Sequence, residues 1–190
     1  MRTESPGRVD DDELVGRFRQ DAEEFTAVYD RYFREVYLYV AGRLDVQIGE
    51  DLAAETFCLA FRDRKRFDPA RGGLRPWLFG IATNLIARHR RKEARHYRAL
   101  ARTGEEPPAG SHEDRVVDAV TAQRMGPRVA RALATLNQGE RDVVTLNYLA
   151  QLTHQEVADA LGISYGTVGS RLNRARKKIH QAMAAEDNHG

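Results

Sequence analysis

Apolar residues recur at helical spacing along most of the chain. Between Asp21 and Leu44, the residues Phe25, Val28, Tyr29, Tyr32, Phe33, Val36, Tyr37 and Val40 fall three and four apart. That spacing gathers them on one face of a long amphipathic helix. A second helix is expected over about Ile48–Phe67. The segment Asp68-Pro69-Ala70-Arg71-Gly72-Gly73-Leu74-Arg75-Pro76 is dense in turn formers and ends it. A third helix is expected to start at Trp77, just behind Pro76, and to run to about Arg98. Shorter helical patterns follow from about Pro127 to the end. Strand-like alternation is almost absent, so the expected fold is all-α.

The chain divides by composition. Residues 103–111 read TGEEPPAGS and are followed by Glu113, Asp114 and Asp118, which marks a flexible linker. The acidic run Asp10, Asp11, Asp12 and Glu13 makes 1–20 an acidic, partly disordered lead. The expected organisation is therefore a helical domain over 21–98, a linker over 99–125 and a second small helical domain over 126–185. With 190 residues in all, a single large barrel or doubly wound enzyme is not expected.

Charge sharpens this division. The formal net charge is only +2, from 30 Lys and Arg against 28 Asp and Glu. The charges are nevertheless segregated. Between Arg88 and Arg98 stand six basic residues and one acid, Glu93; between Thr167 and Lys178 stand five basic residues and no acid. Each domain thus ends in a basic helix, which suits a polyanion, although a solvated surface helix would carry a similar run. Of the basic residues 26 are Arg, whose fork fits phosphate and guanine edges; a GC-rich genome produces the same bias.

Other chemistry is sparse. The single cysteine, Cys58, excludes an intramolecular disulfide or a cysteine-based zinc cluster, and the six histidines are scattered, so no metal or cofactor is expected. The most apolar stretch, Trp77–Ala87, is 11 residues long and holds Thr83 and Asn84, too short to span a bilayer. The first residues contain no apolar signal core, so a soluble, cytoplasmic protein is expected.

The sharpest local pattern is THQEVADALGISYGTVGSRLNRARKKI, residues 153–179. Thr153 and Glu156 form a capping box that starts one helix. Ala158, Gly162 and Val168 supply what a helix-turn-helix needs: a small contact residue, a turn residue that tolerates left-handed φ, and an apolar anchor. Ser164 would cap the second helix and bring Thr167, Ser170, Arg171, Asn173 and Arg174 toward a DNA groove. In the N-terminal domain, Asp51 and Glu55 stand four apart and share a helix face. No third ligand accompanies them, so protein contact reads better than a metal-dependent nuclease site. Trp77 and Phe79, beside the basic helix, suit single-stranded DNA, where bases stack and Arg holds the backbone; ordinary core packing would use them equally well.

Taken in order, YDRYFREVYLYV, DLAAETFCLAF, RFDPARGGLRPWLFGIATNLIARHRRKEAR and LNQGERDVVTLNYLAQLTHQEVADALGISYGTVGSRLNRARKKI resemble bacterial RNA polymerase sigma factors of the extracytoplasmic-function (ECF) subfamily. The resemblance covers about 22–98 and 128–184. It implies a non-catalytic subunit that binds core RNA polymerase through the β′ clamp and β flap, recognises promoter −10 and −35 elements, and assists melting. Asp51, Glu55 and Phe61 become the core-polymerase contacts. Trp77, Asn84, Arg88, Arg90 and Arg91 become the −10 contacts, with the 68–75 loop capturing flipped bases. Thr167, Ser170, Arg171, Asn173 and Arg174 become the −35 contacts. Ala54 and Gly169 depart from the family, which has Gln or Glu at the first position and often a polar residue at the second. An anti-sigma factor is a further implied partner, and the nucleoid the implied location within holoenzyme. A linker of this length reaches roughly 90 Å when extended at about 3.3 Å per residue. That is ample for elements more than one duplex turn, about 34 Å, apart. The rival reading is a stand-alone helix-turn-helix regulator that dimerises on a palindrome and has no use for the DLAAETF helix.

Overall fold

A computed structural model describes residues 11–103 and 126–187. Among these residues there are eight α-helices and no strand: α1 (Asp11–Gln20), α2 (Phe25–Ala41), α3 (Val46–Asp63), α4 (Leu74–Thr103), α5 (Pro127–Ala134), α6 (Gln138–Tyr148), α7 (His154–Leu161) and α8 (Tyr165–Asp187). Two short 3₁₀ turns, Arg64–Arg66 and Pro69–Arg71, join α3 to α4. The all-α reading holds. The expected linker falls mostly on 104–125, outside the described residues, but residues 99–103 belong to the end of α4.

Helix α1 corrects the reading of 1–20 as a partly disordered lead; residues 1–10 lie outside the described set. Leu14, Val15 and Phe18 are buried, and the Phe18 ring meets Phe25 edge-on at 5.8 Å. Three apolar side chains on one face outweigh the repulsion of the acidic run, since each contributes about 1.5–3 kcal/mol when fully buried.

Helices α2, α3 and α4 form the N-terminal core around Tyr32, Val36, Phe57, Leu78 and Ile86. Asp45 starts α3 by accepting the Ile48 N–H at 2.9 Å. At the α2–α3 crossing Gly49 has no alternative, because a Cβ there would sit 2.9 Å from the Ala41 Cα. The turn-rich 68–76 segment does break the chain, yet α4 begins at Leu74 and takes Pro76 into its first turn. Proline is tolerated there because that N–H has no intrahelical partner.

In the C-terminal module two capping boxes set the helix starts. Thr153 with Glu156 opens α7, as its sequence spacing indicates; Asn137 with Glu140 opens α6. Gly162 closes α7 at φ +61°, and Val157, Val168 and Leu172 are buried in the shared core. No helix among the described residues is long and apolar enough to cross a membrane.

The two modules touch. Helix α7 lies on α4, so closely that a Cβ at Gly80 would fall 2.6 Å from the Ala160 carbonyl oxygen.

Candidate polymerase and nucleic-acid surfaces

The first turn of α8 is fixed by Ser164, whose Oγ accepts the Thr167 N–H at 3.2 Å. This cap leaves Ser170, Asn173 and Arg174 exposed, at i, i+3 and i+4 along one face. They form one edge that a groove could receive. Two of the expected five differ. The Thr167 hydroxyl is 2.8 Å from that of Ser164 and belongs to the cap. Arg171 is half-buried and runs back over Gly139, where an added Cβ would come within 3.1 Å of its guanidinium carbon.

Behind this edge lies a residue the sequence reading passed over. Glu140 is 2% exposed; it caps Asn137, binds Lys178 Nζ at 2.7 Å and has Arg174 Nε at 4.0 Å. Burial works to raise its carboxyl. The Lys178 hydrogen bond, the Asn137 N–H and the two nearby cations outweigh that and hold it below the ordinary carboxylate range. The Asn-x-x-Glu spacing of a capping box was its visible signal.

On α3, Asp51 and Glu55 are both exposed and share a helix face, as expected. Phe61 is 39% exposed: its ring packs edge-on against Phe25 at 5.4 Å, under the Arg64 guanidinium at 4.2 Å. Among the described residues no group of three or more His, Cys, Asp or Glu is placed to hold a metal ion.

On α4, Asn84, Arg88 and Arg91 are exposed. Trp77 is half-buried, its ring 4.9 Å from that of Phe67. Beside these rings the 66–73 turn borders an open pocket of about 260 Å³, which Arg66, Arg71, Asp68, Trp77 and Gly72 help to line. Gly72 adopts φ +143°, a conformation that favours glycine. One lining residue comes from the other module: Asp159 of α7. Arg66, just before the turn formers, was absent from the expected contacts, while Arg71 lies within the 68–75 loop expected to capture bases; Asp159 had no local signal at all.

Arg90 departs furthest from expectation. It is 8% exposed, donating to Gln138 Oε1 of α6 and to the Arg43 carbonyl, both at 3.1 Å. Burial, with Arg43 and Arg141 beside it, pushes its pKa down to about 10. Next to it Arg43, 1% exposed, donates to the Tyr39 hydroxyl at 2.6 Å and to the Asp142 carboxylate of α6. Burial works to lower the Arg43 pKa, but Tyr39 and Asp142 outweigh it and raise it. Since Arg43 donates to Tyr39 and Thr83 donates to the Phe79 carbonyl, the Tyr39 proton goes to Thr83. One hydrogen-bonded chain thus runs from Asp142 through Arg43, Tyr39 and Thr83 into the backbone of α4.

The sequence comparisons give this geometry a class. Residues 28–96 match Sigma-70 region 2 and residues 128–179 match Sigma-70, region 4. The chain belongs to the RNA polymerase sigma factors, within the ECF subfamily. It is 32% identical over 172 residues to "ECF RNA polymerase sigma factor SigL" of Mycobacterium tuberculosis, covering 90% of this chain and 94% of that one. It is 32% identical over 173 residues to "ECF RNA polymerase sigma factor BldN" of Streptomyces coelicolor, covering 90% of this chain and 65% of the relative. A solved structure of sigma factor RpoE in complex with the anti-sigma factor NepR from Bartonella quintana shares the fold. Its TM-score is 0.64 at 20% identity, over 85% of this chain and 98% of that one.

Proposed function

We propose that this sigma factor assembles with core RNA polymerase, directs promoter-specific transcription initiation and assists melting at the −10 element, itself catalysing nothing. The observation that supports the reading best is the division of labour between exposed faces. A carboxylate pair stands on α3, a basic aromatic surface with an arginine-lined turn pocket on α4, and a Ser170–Asn173–Arg174 edge on α8. Asp51 and Glu55 would meet the β′ clamp, and the C-terminal module the β flap. Phe61 adds an apolar contact at the end of the same helix.

At the −10 element, the pocket beside Trp77 has room for an unstacked base, and Arg88 and Arg91 can follow the phosphates of the opened strand. Such contacts exist only with an unpaired strand, and they offset an unpairing cost of a few kcal/mol. At the −35 element, Arg174 and Asn173 suit base edges, while Arg176 and Lys177 suit phosphate. Thr167, held in the cap, and Arg171, lying over Gly139, contribute less to base contact than Ser170, Asn173 and Arg174. Working with polymerase places the protein in the bacterial cytoplasm and, within holoenzyme, at the nucleoid. An anti-sigma factor is a fitting regulatory partner.

The test is in vitro transcription with purified core enzyme on a pool of genomic fragments. The expected result is a discrete set of start sites that depend on this chain. Transcripts unchanged by its addition would reject the reading. Specific dimeric binding to a palindrome without polymerase would instead favour the stand-alone regulator.

A further inference from the structure

The first turns of a recognition helix are the part that meets base edges. In α8 most of the side chains there are already engaged. Val168 is buried in the module core, the Thr167 hydroxyl belongs to the Ser164 cap, and the Ser170 hydroxyl donates to the Thr167 carbonyl at 3.0 Å. Gly166 and Gly169 carry no side chain, and an added Cβ at either would meet no neighbouring atom of the described residues within 4 Å. Arg171 turns back over Gly139. The large side chain that remains at this end is Tyr165.

Tyr165 is the first residue of α8 and is 57% exposed, more than any other large apolar side chain among the described residues. Its ring is nevertheless held. It lies 5.8 Å from the ring of His154, tilted by 55°. His154 is the first residue of α7, so the pair joins the starts of both helices of the helix-turn-helix.

We propose that Tyr165 is a specificity-determining residue of the −35 contact, whose ring reads the C5 methyl group of a thymine. The proposal rests on the functional reading above and names one base chemistry for it. An aromatic ring offers apolar contact, and the apolar group that the major groove presents is the thymine methyl. Tyr165, Gly169 and Asn173 stand at i, i+4 and i+8, along one row of the helix. Because Gly169 is bare, the row has a gap one side chain wide between the ring and the Asn173 amide, and a base edge can enter it. The ends of the row are about 12 Å apart at 1.5 Å per residue. The thymine therefore lies within about four base pairs of the base read by Asn173, at about 3.4 Å per step. His154 is a positioning residue that keeps the ring at the mouth of this gap.

The test uses a duplex DNA pool randomised across the −35 region. Duplexes bound by the parent chain are selected twice, with core enzyme and without it. Each selected duplex is then remade with deoxyuridine in place of one thymine at a time, which deletes the methyl group and nothing else. Affinities are compared for the parent chain and for Tyr165→Ala, Tyr165→Phe, His154→Ala and His154→Phe. Unfolding temperatures of the Tyr165 variants should match the parent, because the side chain is exposed.

The expected result is one thymine whose replacement weakens binding by the parent chain about fourfold, the value of one buried methyl group. Tyr165→Phe should keep that preference and Tyr165→Ala should lose it, binding both duplexes alike. His154→Ala should reduce the preference and His154→Phe restore it. Equal binding of all thymine and deoxyuridine duplexes by the parent would overturn the proposal, as would a preference that survives in Tyr165→Ala. Weaker binding of every duplex by Tyr165→Phe would put the hydroxyl on a phosphate and overturn it too. An unchanged preference in His154→Ala would overturn the positioning role. The functional reading fails separately: selection by the chain alone, with nothing added by core enzyme, would reject the promoter role and still leave the thymine comparison to be read on the selected duplexes. Selection in neither form would overturn both.

Discussion

Helices α4 and α8 look alike in the sequence. Each is long, each becomes basic along its length and each closes a module that pairs it with shorter helices. Their surroundings differ. The outer edge of α8 faces solvent, and its cations meet one buried carboxylate, Glu140, of their own module. The inner face of α4 is covered by α7 and the start of α6, and Arg90 shares the buried Asp142 of the other module with Arg43. The two carboxylates stand two residues apart on α6, yet Glu140 builds a module and Asp142 joins two. A count of basic residues measures the potential of a surface, not whether that surface is free. Only the position of the neighbouring anion tells them apart.

The comparison is broken most severely through the cores. Ile86→Ala in α4 and Leu172→Ala in α8 each remove a fully buried side chain and should cost about 2–5 kcal/mol. Hydrogen exchange should place the Leu172→Ala loss within 126–187. An equal loss over 11–103 would mean that the modules fold as one cooperative unit.

Arg174→Ala sharpens the comparison on the open side. It should weaken promoter-specific initiation by about 1–3 kcal/mol, the value of one good base contact, and leave core-enzyme affinity unchanged in a pull-down. Loss of both together would contradict the role given to that edge.

Glu140→Gln tests the anion within the module and should cost about 1–2 kcal/mol in thermal unfolding, a charged hydrogen bond discounted because Lys178 is partly exposed. The parent carboxyl is held low in the fold. Its stabilisation is therefore complete above the unfolded carboxylate pKa and lost as pH falls through the lower folded value. The Gln variant should lack that acid-dependent loss.

The smallest effect is expected at the polymerase face. Asp51→Ala or Glu55→Ala should each weaken core binding by about 1 kcal/mol, read by competition against the parent chain, with unfolding temperatures unchanged because both side chains are exposed.

What the sequence determined alone is local. Helical spacing from Phe25 to Val40 placed α2, the Thr153–Glu156 box and Gly162 placed α7 and its turn, and Ser164 placed the start of α8. These follow from 3.6-residue periodicity and from capping partners three residues apart, both of which survive in a linear string. The helix over 11–20 was missed because the Asp run stood out more strongly than Leu14, Val15 and Phe18. Their shelter is provided by Phe25 and Phe67, which a window of one helix does not contain.

The tertiary structure decided which cations are free. Arg43 and Asp142 are 99 residues apart in the chain, and no periodicity links them. Gly80 reads as a flaw in a helix until the Ala160 carbonyl appears above it. Arg88, Arg90 and Arg91 are equivalent on paper. They diverge because successive helical residues turn by about 100°, so only one of the three meets the neighbouring module. Burial, like charge and a shared anion are properties of position in space, and these decide which arginines are left for nucleic acid.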